Sequence, residues 1–186
     1  ILTLDYNNFG NEGLSNLLNY LTDVSPLTYL SLSYCGIDEK GIQYFENYIP
    51  KTQILEKLIL MGNPIKDDGV STLCELLVGN TSIEEININN VGFGTDVETI
   101  NKLVYLMEKN KNLVIYNVKF NFITEANFQT IVNLLTDKED KGKHVYQFNV
   151  DEKYSKELFT TYFNAMKKRK YKKKNKKGKG KKGKKK

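Results

Sequence analysis

The chain carries few residues able to do chemistry, and their spacing limits what they can do. Its single histidine, His144, ends the charged run TDKEDKGKH, its cysteines Cys35 and Cys74 stand 39 positions apart, and its only arginine is Arg169. A Ser-His-Asp or Cys-His site needs a histidine held in place by its surroundings; a histidine in a charged loop is expected to be solvated. One His and two distant Cys lack zinc spacing, and KDDG at residues 66–69 is a polar turn without the other ligands of a calcium loop. GKGKKG at residues 178–183 matches a dinucleotide-binding glycine pattern in letters only, since no strand precedes it and no helix follows it in that Lys/Gly tail. NTS at Asn80 has the form of a glycosylation acceptor but reads as a polar cap at a structural junction. The expectation is a protein that is not an enzyme, with no cofactor, metal site or small-molecule substrate.

What chemistry remains is recognition, and it depends on how the chain positions its side chains. LEKLILMGNPIKDDGVSTLCELL, residues 55–77, holds apolar residues at strand spacing (Leu55, Leu58, Leu60) and then at helix spacing (Val70, Leu73, Leu76, Leu77). The arrangement recurs. Its first apolar position falls at Leu27, Leu55, Ile83, Leu113 and Val145, in steps of 28, 28, 30 and 32. Leu27, Leu30, Leu32, Cys35 and Ile37 fit L-x-x-L-x-L-x-x-N/C-x-L, as do Leu55, Leu58, Leu60, Asn63 and Ile65, and the chain opens on Leu2, Leu4, Asn7 and Phe9 in the same frame. Gly13, Gly41 and Gly69 precede the helical patterns.

This unit resembles the ribonuclease-inhibitor type of leucine-rich repeat. The resemblance implies an α/β solenoid, a horseshoe with parallel strands on its concave face and helices on its convex face, used mainly for binding proteins in the cytoplasm and in cytoskeletal or ciliary assemblies. We expect repeats over 1–144, about five with the first truncated, a capping strand and helix over 145–166, and a disordered Lys-rich tail over 167–186. Ile1 falls inside a repeat, so the chain is expected to be the C-terminal part of a longer protein. Val91 replaces the turn Asn and Val97 stands where Gly is expected, so an irregular turn is expected there. The stretch NTSIEEININN and the following INKLVYLMEKNKNL are similar to the repeats of tropomodulin-type actin cappers. The Ran GTPase activator uses the same repeat type, which keeps activation of a GTPase as an alternative.

By strand alternation the concave face carries Tyr29, Tyr34, Ile59, Met61, Asn87, Asn117 and Phe120, a mixture of aromatic, apolar and amide side chains suited to a protein partner. Charge is distributed unevenly. Of 28 basic residues, 15 lie in 167–186, and all 22 acids precede them, so residues 1–166 hold 13 basic against 22 acidic side chains, a net charge of −9. The run Lys167, Lys168, Arg169, Lys170, Lys172, Lys173, Lys174 is therefore the candidate for polyanions: tubulin tails, RNA or an anionic membrane. An RNA-associated or nuclear adaptor acting through this tail is a further alternative. The two cysteines read as reduced and buried, with no disulfide-linked partner and a cytoplasmic setting. No apolar run reaches membrane-spanning length.

Overall fold

A computed structural model of the chain describes residues 1–21 and 26–169. Each apolar triplet in the repeat forms a short strand, and each following apolar stripe a helix. In order these are β1 (Leu2–Thr3), α1 (Gly10–Tyr20), β2 (Tyr29–Ser31), α2 (Glu39–Gln43), β3 (Lys57–Ile59), α3 (Lys66–Val78), β4 (Glu85–Asn87), α4 (Val97–Lys109), β5 (Ile115–Asn117), α5 (Glu125–Leu135), β6 (Gln147–Asn149) and α6 (Lys156–Lys167). The strands form one open parallel sheet in sequence order, β1 to β6. Its register aligns Leu30, Leu58, Ile86, Tyr116 and Phe148, all essentially without solvent contact, as one inward row. Neighbouring repeats thus bury one another's apolar faces in a continuous core.

The buried asparagines keep this stack satisfied. Asn63 Oδ1 accepts from the Cys35 and Ile37 amides, and its Nδ2 donates to the Leu32 and Leu60 carbonyls. Asn121 serves the turn below it in the same way, taking the Val91 and Gly92 amides. The ladder residue of one repeat therefore completes the turn of the repeat before it. Where Cys35 or Val91 replaces Asn, the preceding turn closes on itself, Phe9 N to Asn7 O at 2.6 Å and Ile65 N to Asn63 O at 2.8 Å. The left-handed residue then moves from Gly36 and Gly92 to Gly10 and Lys66. The irregularity expected at Val91 has this cause, and its main consequence falls one repeat earlier.

Two expectations are corrected. Val97 is not the Gly-equivalent: it is exposed, and the two extra residues of the longer step lie at Gly94 and Thr95, so Thr99, 1% exposed, takes that inner place. Its counterpart Gly69 has no room for a Cβ, which would stand 3.0 Å from the Glu39 backbone. Thr99 and Asn127 instead donate to the Asp67 and Gly94 carbonyls of the preceding repeat. The helical pattern IQYFENYI is also not one helix; α2 tightens into a 3-10 turn, Tyr44–Asn47. That turn eclipses residues three apart, bringing Ile42, Phe45 and Tyr48 onto one buried side.

Candidate interaction face

Sheet register turns the outward side chains into rows. One row is Tyr29, Lys57, Glu85, Ile115 and Gln147; the next is Ser31, Ile59, Asn87, Asn117 and Asn149. Two residues further on, the same phase continues through Ser33, Met61, Asn89 and Lys119. The C-terminal half is a polar chain: Lys57 Nζ to Glu85 Oε2 at 2.6 Å, Asn117 Nδ2 to Glu85 Oε1 at 3.2 Å, Asn149 Nδ2 to Asn117 Oδ1 at 2.6 Å. At the N-terminal end Asp5 Oδ1 accepts from Ser31 Oγ and the Ser33 amide. Between these two bonded groups sit Tyr29, Ile59 and Met61, with no charge of their own.

The expected site residues separate on inspection. Tyr29, Met61, Asn87 and Asn117 lie half-buried on the strand face. Ile59 lies among them but is only 9% exposed, so it floors the face and offers little contact area. Tyr34 and Phe120 are not in strand phase at all; they occupy the turns just after the strands, with φ of +55° and +61°. The strand alternation stops at Ser33 and Lys119, and the next residue swings onto the rim.

The far edge holds two residues whose roles differ from expectation. Asn80 Nδ2 donates to Ile49 O and Thr52 O, and Asn110 Nδ2 to Leu77 O and Asn80 O, forming a second ladder. At 3% exposure Asn80 is a buried structural amide, as its junction reading requires. One repeat later His144 sits against the backbone of Asn110 and Met107, the positions equivalent to Asn80 and Leu77. It is thus a ladder residue and not a solvated loop histidine. Burial, with Lys111 nearby, pushes its pKa down to about 4, against the pull of the Asn110 and Met107 backbone. Arg169 ends the series: its guanidinium donates to Leu135 O, Gly142 O and Val145 O. It closes the cap and is not free to meet a polyanion. Lys167 ends α6 and Lys168 caps it, both exposed, so the last helix runs one residue past the expected boundary at 166. Lys170, Lys172, Lys173 and Lys174 lie outside the described residues.

A cleft of about 1020 Å³ opens beside this cap, lined among others by Lys111, Asp140, His144, Tyr146 and Arg169. Most of its charged groups are already engaged: Lys111 with the Glu108 and Lys141 carbonyls, Asp140 with Lys143, Arg169 with its three carbonyls. Both cysteines are buried free thiols, and burial raises the pKa of each, Cys74 to about 12. Among the described residues no three His, Cys, Asp or Glu side chains are grouped to hold a metal ion. Nor, among them, is any helix long and apolar enough to cross a membrane.

A leucine-rich repeat family model matches residues 25–45 and 53–74. Two mouse (Mus musculus) proteins are similar over part of the chain. NACHT, LRR and PYD domains-containing protein 14 is 31% identical over 77 residues, 41% of this chain and 8% of that protein. The 4E protein of the same series is 34% identical over 89 residues, 47% of this chain and 9% of its own length. The chain thus spans under a tenth of these relatives. Among solved structures, leiomodin-1 actin-binding site 2 superposes with a TM-score of 0.66 at 12% identity, covering 84% of this chain and 85% of that one. The tropomodulin C-terminal domain of Caenorhabditis elegans gives 0.66 at 14%, covering 84% and 91%. Strand-turn-helix units in unbroken register, with the family model seated on two of them, make this chain a leucine-rich repeat protein.

Proposed function

We propose that the chain is a non-catalytic, protein-binding scaffold of the cytoplasmic cytoskeleton, and that its strand face receives the partner. The observation that carries this reading is the apolar patch of Tyr29, Ile59 and Met61 between two internally bonded polar groups. An apolar centre with a polar surround is the anatomy of a protein interface. Asn87 and Asn117, held in register beside it, supply preorganised amides. Actin is the first partner to test, because the structurally similar leiomodin fragment is described as an actin-binding site. Co-sedimentation with filamentous actin and gel filtration with monomeric actin test it. Tyr29→Ala with Met61→Ala should weaken binding by about 2 kcal/mol or more at unchanged thermal midpoint. Equal binding by wild type and variant removes the strand face, and absence of binding to either form removes actin.

A second reading rests on composition. Fourteen Lys and one Arg without an acid in 167–186 suit a tether to a polyanionic surface, such as RNA, tubulin tails or anionic lipid. Truncation after Arg169, which keeps the cap bonds, should abolish a salt-sensitive affinity for all three. Unchanged binding at low salt leaves the tail without this role. Activation of a GTPase by an arginine supplied from this chain gains no support, since the only arginine is committed to the cap; activation without one is tested by GTP hydrolysis with the purified chain.

A further inference from the structure

Five equivalent positions just after the strands, Tyr6, Tyr34, Gly62, Asn90 and Phe120, all have left-handed φ, between +52° and +73°. Their amides repeat one bond. Tyr6, Tyr34, Gly62 and Asn90 donate to the carbonyls of Ser33, Met61, Asn89 and Lys119, and Phe120 donates to the Asp151 carboxylate. The stacking of repeats therefore imposes this conformation whatever the residue. Gly and Asn accept it at low cost, and Gly62 and Asn90 do so; bulky side chains there are outliers. Yet Tyr6 and Phe120 stand there 75% and 65% exposed. Strain of this kind collects where a surface has work to do.

The aromatic residues are also arranged. Tyr6 stacks on Tyr34 with centroids 4.8 Å apart and planes 6° from parallel. The Tyr34 ring covers Gly62, leaving no space there for a Cβ. At the other end Phe122, 64% exposed, follows Phe120 and reaches over Gly92. The result is a ledge four strand spacings long, about 19 Å, with rings at both ends and glycine between. The helix starts follow it in the chain, and their first turns carry Glu12, Glu39, Asp67 and Asp68, Glu98, and Glu125, of which Glu39 is paired with Lys66 and Asp67 accepts from the Gly94 amide and the Thr95 hydroxyl.

We propose that this edge docks a cationic peptide segment of a partner protein, one in which Arg or Lys side chains alternate with apolar ones. Guanidinium or ammonium groups lie over the open faces of Tyr6, Phe120 and Phe122, near the carboxylates of the helix starts, while Tyr34 backs Tyr6 and holds it in place. A ledge of about 19 Å spans roughly six extended residues. The same carboxylates repel nucleic acid, which rings alone would attract. This inference rests on the scaffold reading and deepens it by naming the class of partner. It can fail while the Tyr29 and Met61 result stands.

The test uses the full chain and the double variant Tyr34→Asn, Phe120→Asn, with Asn chosen because Asn90 already occupies this register. Two fluorescein-labelled octapeptides, one alternating Arg with Leu and one alternating Glu with Leu, are titrated by fluorescence polarisation. The Arg-Leu peptide should lose about tenfold or more in affinity in the variant, the loss expected for an anchor residue. The Glu-Leu peptide, which meets the Lys tail, should bind both proteins equally, and the variant's thermal midpoint should not fall. The inference is overturned by Arg-Leu binding that is absent or unchanged, or by loss of both peptides together. It is equally overturned by a lowered midpoint, which would make the rings structural, or by a single-stranded oligonucleotide whose affinity falls with the rings.

Discussion

Replacing Asn63 by Ala probes the polar stack where it is most demanding. Asn63 is 1% exposed, and its amide makes four bonds of 2.8–3.0 Å to backbone groups of two repeats. Alanine leaves the amides of Cys35 and Ile37 without partners in a site that excludes water. Each unsatisfied buried group costs about 1–3 kcal/mol. The Leu32 and Leu60 carbonyls add less, since a carbonyl tolerates a missing partner better than an amide does. The expected loss is therefore about 3–5 kcal/mol, at the upper end for one substitution. Urea unfolding followed by circular dichroism measures it, with an unchanged slope certifying that the same transition is compared. Asn7→Ala is the control: Asn7 is exposed and, among the described residues, its side chain bonds only Leu4 O and Asp5 O, so it should cost about 1 kcal/mol or less. A loss below about 1 kcal/mol for Asn63→Ala would refute the ladder as a source of stability.

Three further outcomes are expected. Tyr116 is fully buried with a partnerless hydroxyl, so Tyr116→Phe should raise stability by about 1 kcal/mol in the same urea assay; a loss would mean that the hydroxyl is satisfied. Folding lowers the pKa of His144 from its ordinary 6.5 to about 4, so the unfolded chain binds its proton first and stability, complete above pH 6.5, falls as pH drops toward 4. Discounted for partial exposure, this is on the order of 1–2 kcal/mol, and His144→Asn, which can keep the ladder contact, should flatten that part of the pH profile; parallel profiles would exclude it. Arg169→Ala should release three carbonyls of the cap and make residues 136–145 an early site of limited proteolysis, while an unchanged cleavage pattern would show that the clasp is dispensable.

What could be seen in the sequence follows from how local each feature is. The strand starts and the inward row of Leu30, Leu58, Ile86 and Tyr116 are set by periodicity within one repeat, and they appear where the motif puts them. The stretch VGFGTD announced a longer loop but not which residue takes the inner place at the helix start, because Val97 and Thr99 are both compatible with it; only packing against Asp67 selects Thr99. Tyr34 and Phe120 were assigned to the strand face because a strand three residues long gives alternation no warning of its end. The roles of His144 and Arg169 depend on backbone groups at least 34 and 24 residues away respectively, as Asn110 and Val145 are. Only a partial signal for His144 existed: Thr52, Asn80 and Asn110 stand three residues before Leu55, Ile83 and Leu113, but the matching place before Val145 is Gly142, and His144 follows it by two. None existed for Arg169, which looked like one more cation of the tail.

Hydrogen-deuterium exchange on the whole chain, alone and with the cytoskeletal partner proposed above, tests the scaffold most directly. The strand-face reading predicts slowed exchange on binding in peptides covering Tyr29–Ser31, Lys57–Ile59 and Glu85–Asn87 and the turns that follow them, with α3 and α4 unchanged. Protection confined to α3 and α4 would place the partner on the helices and contradict it.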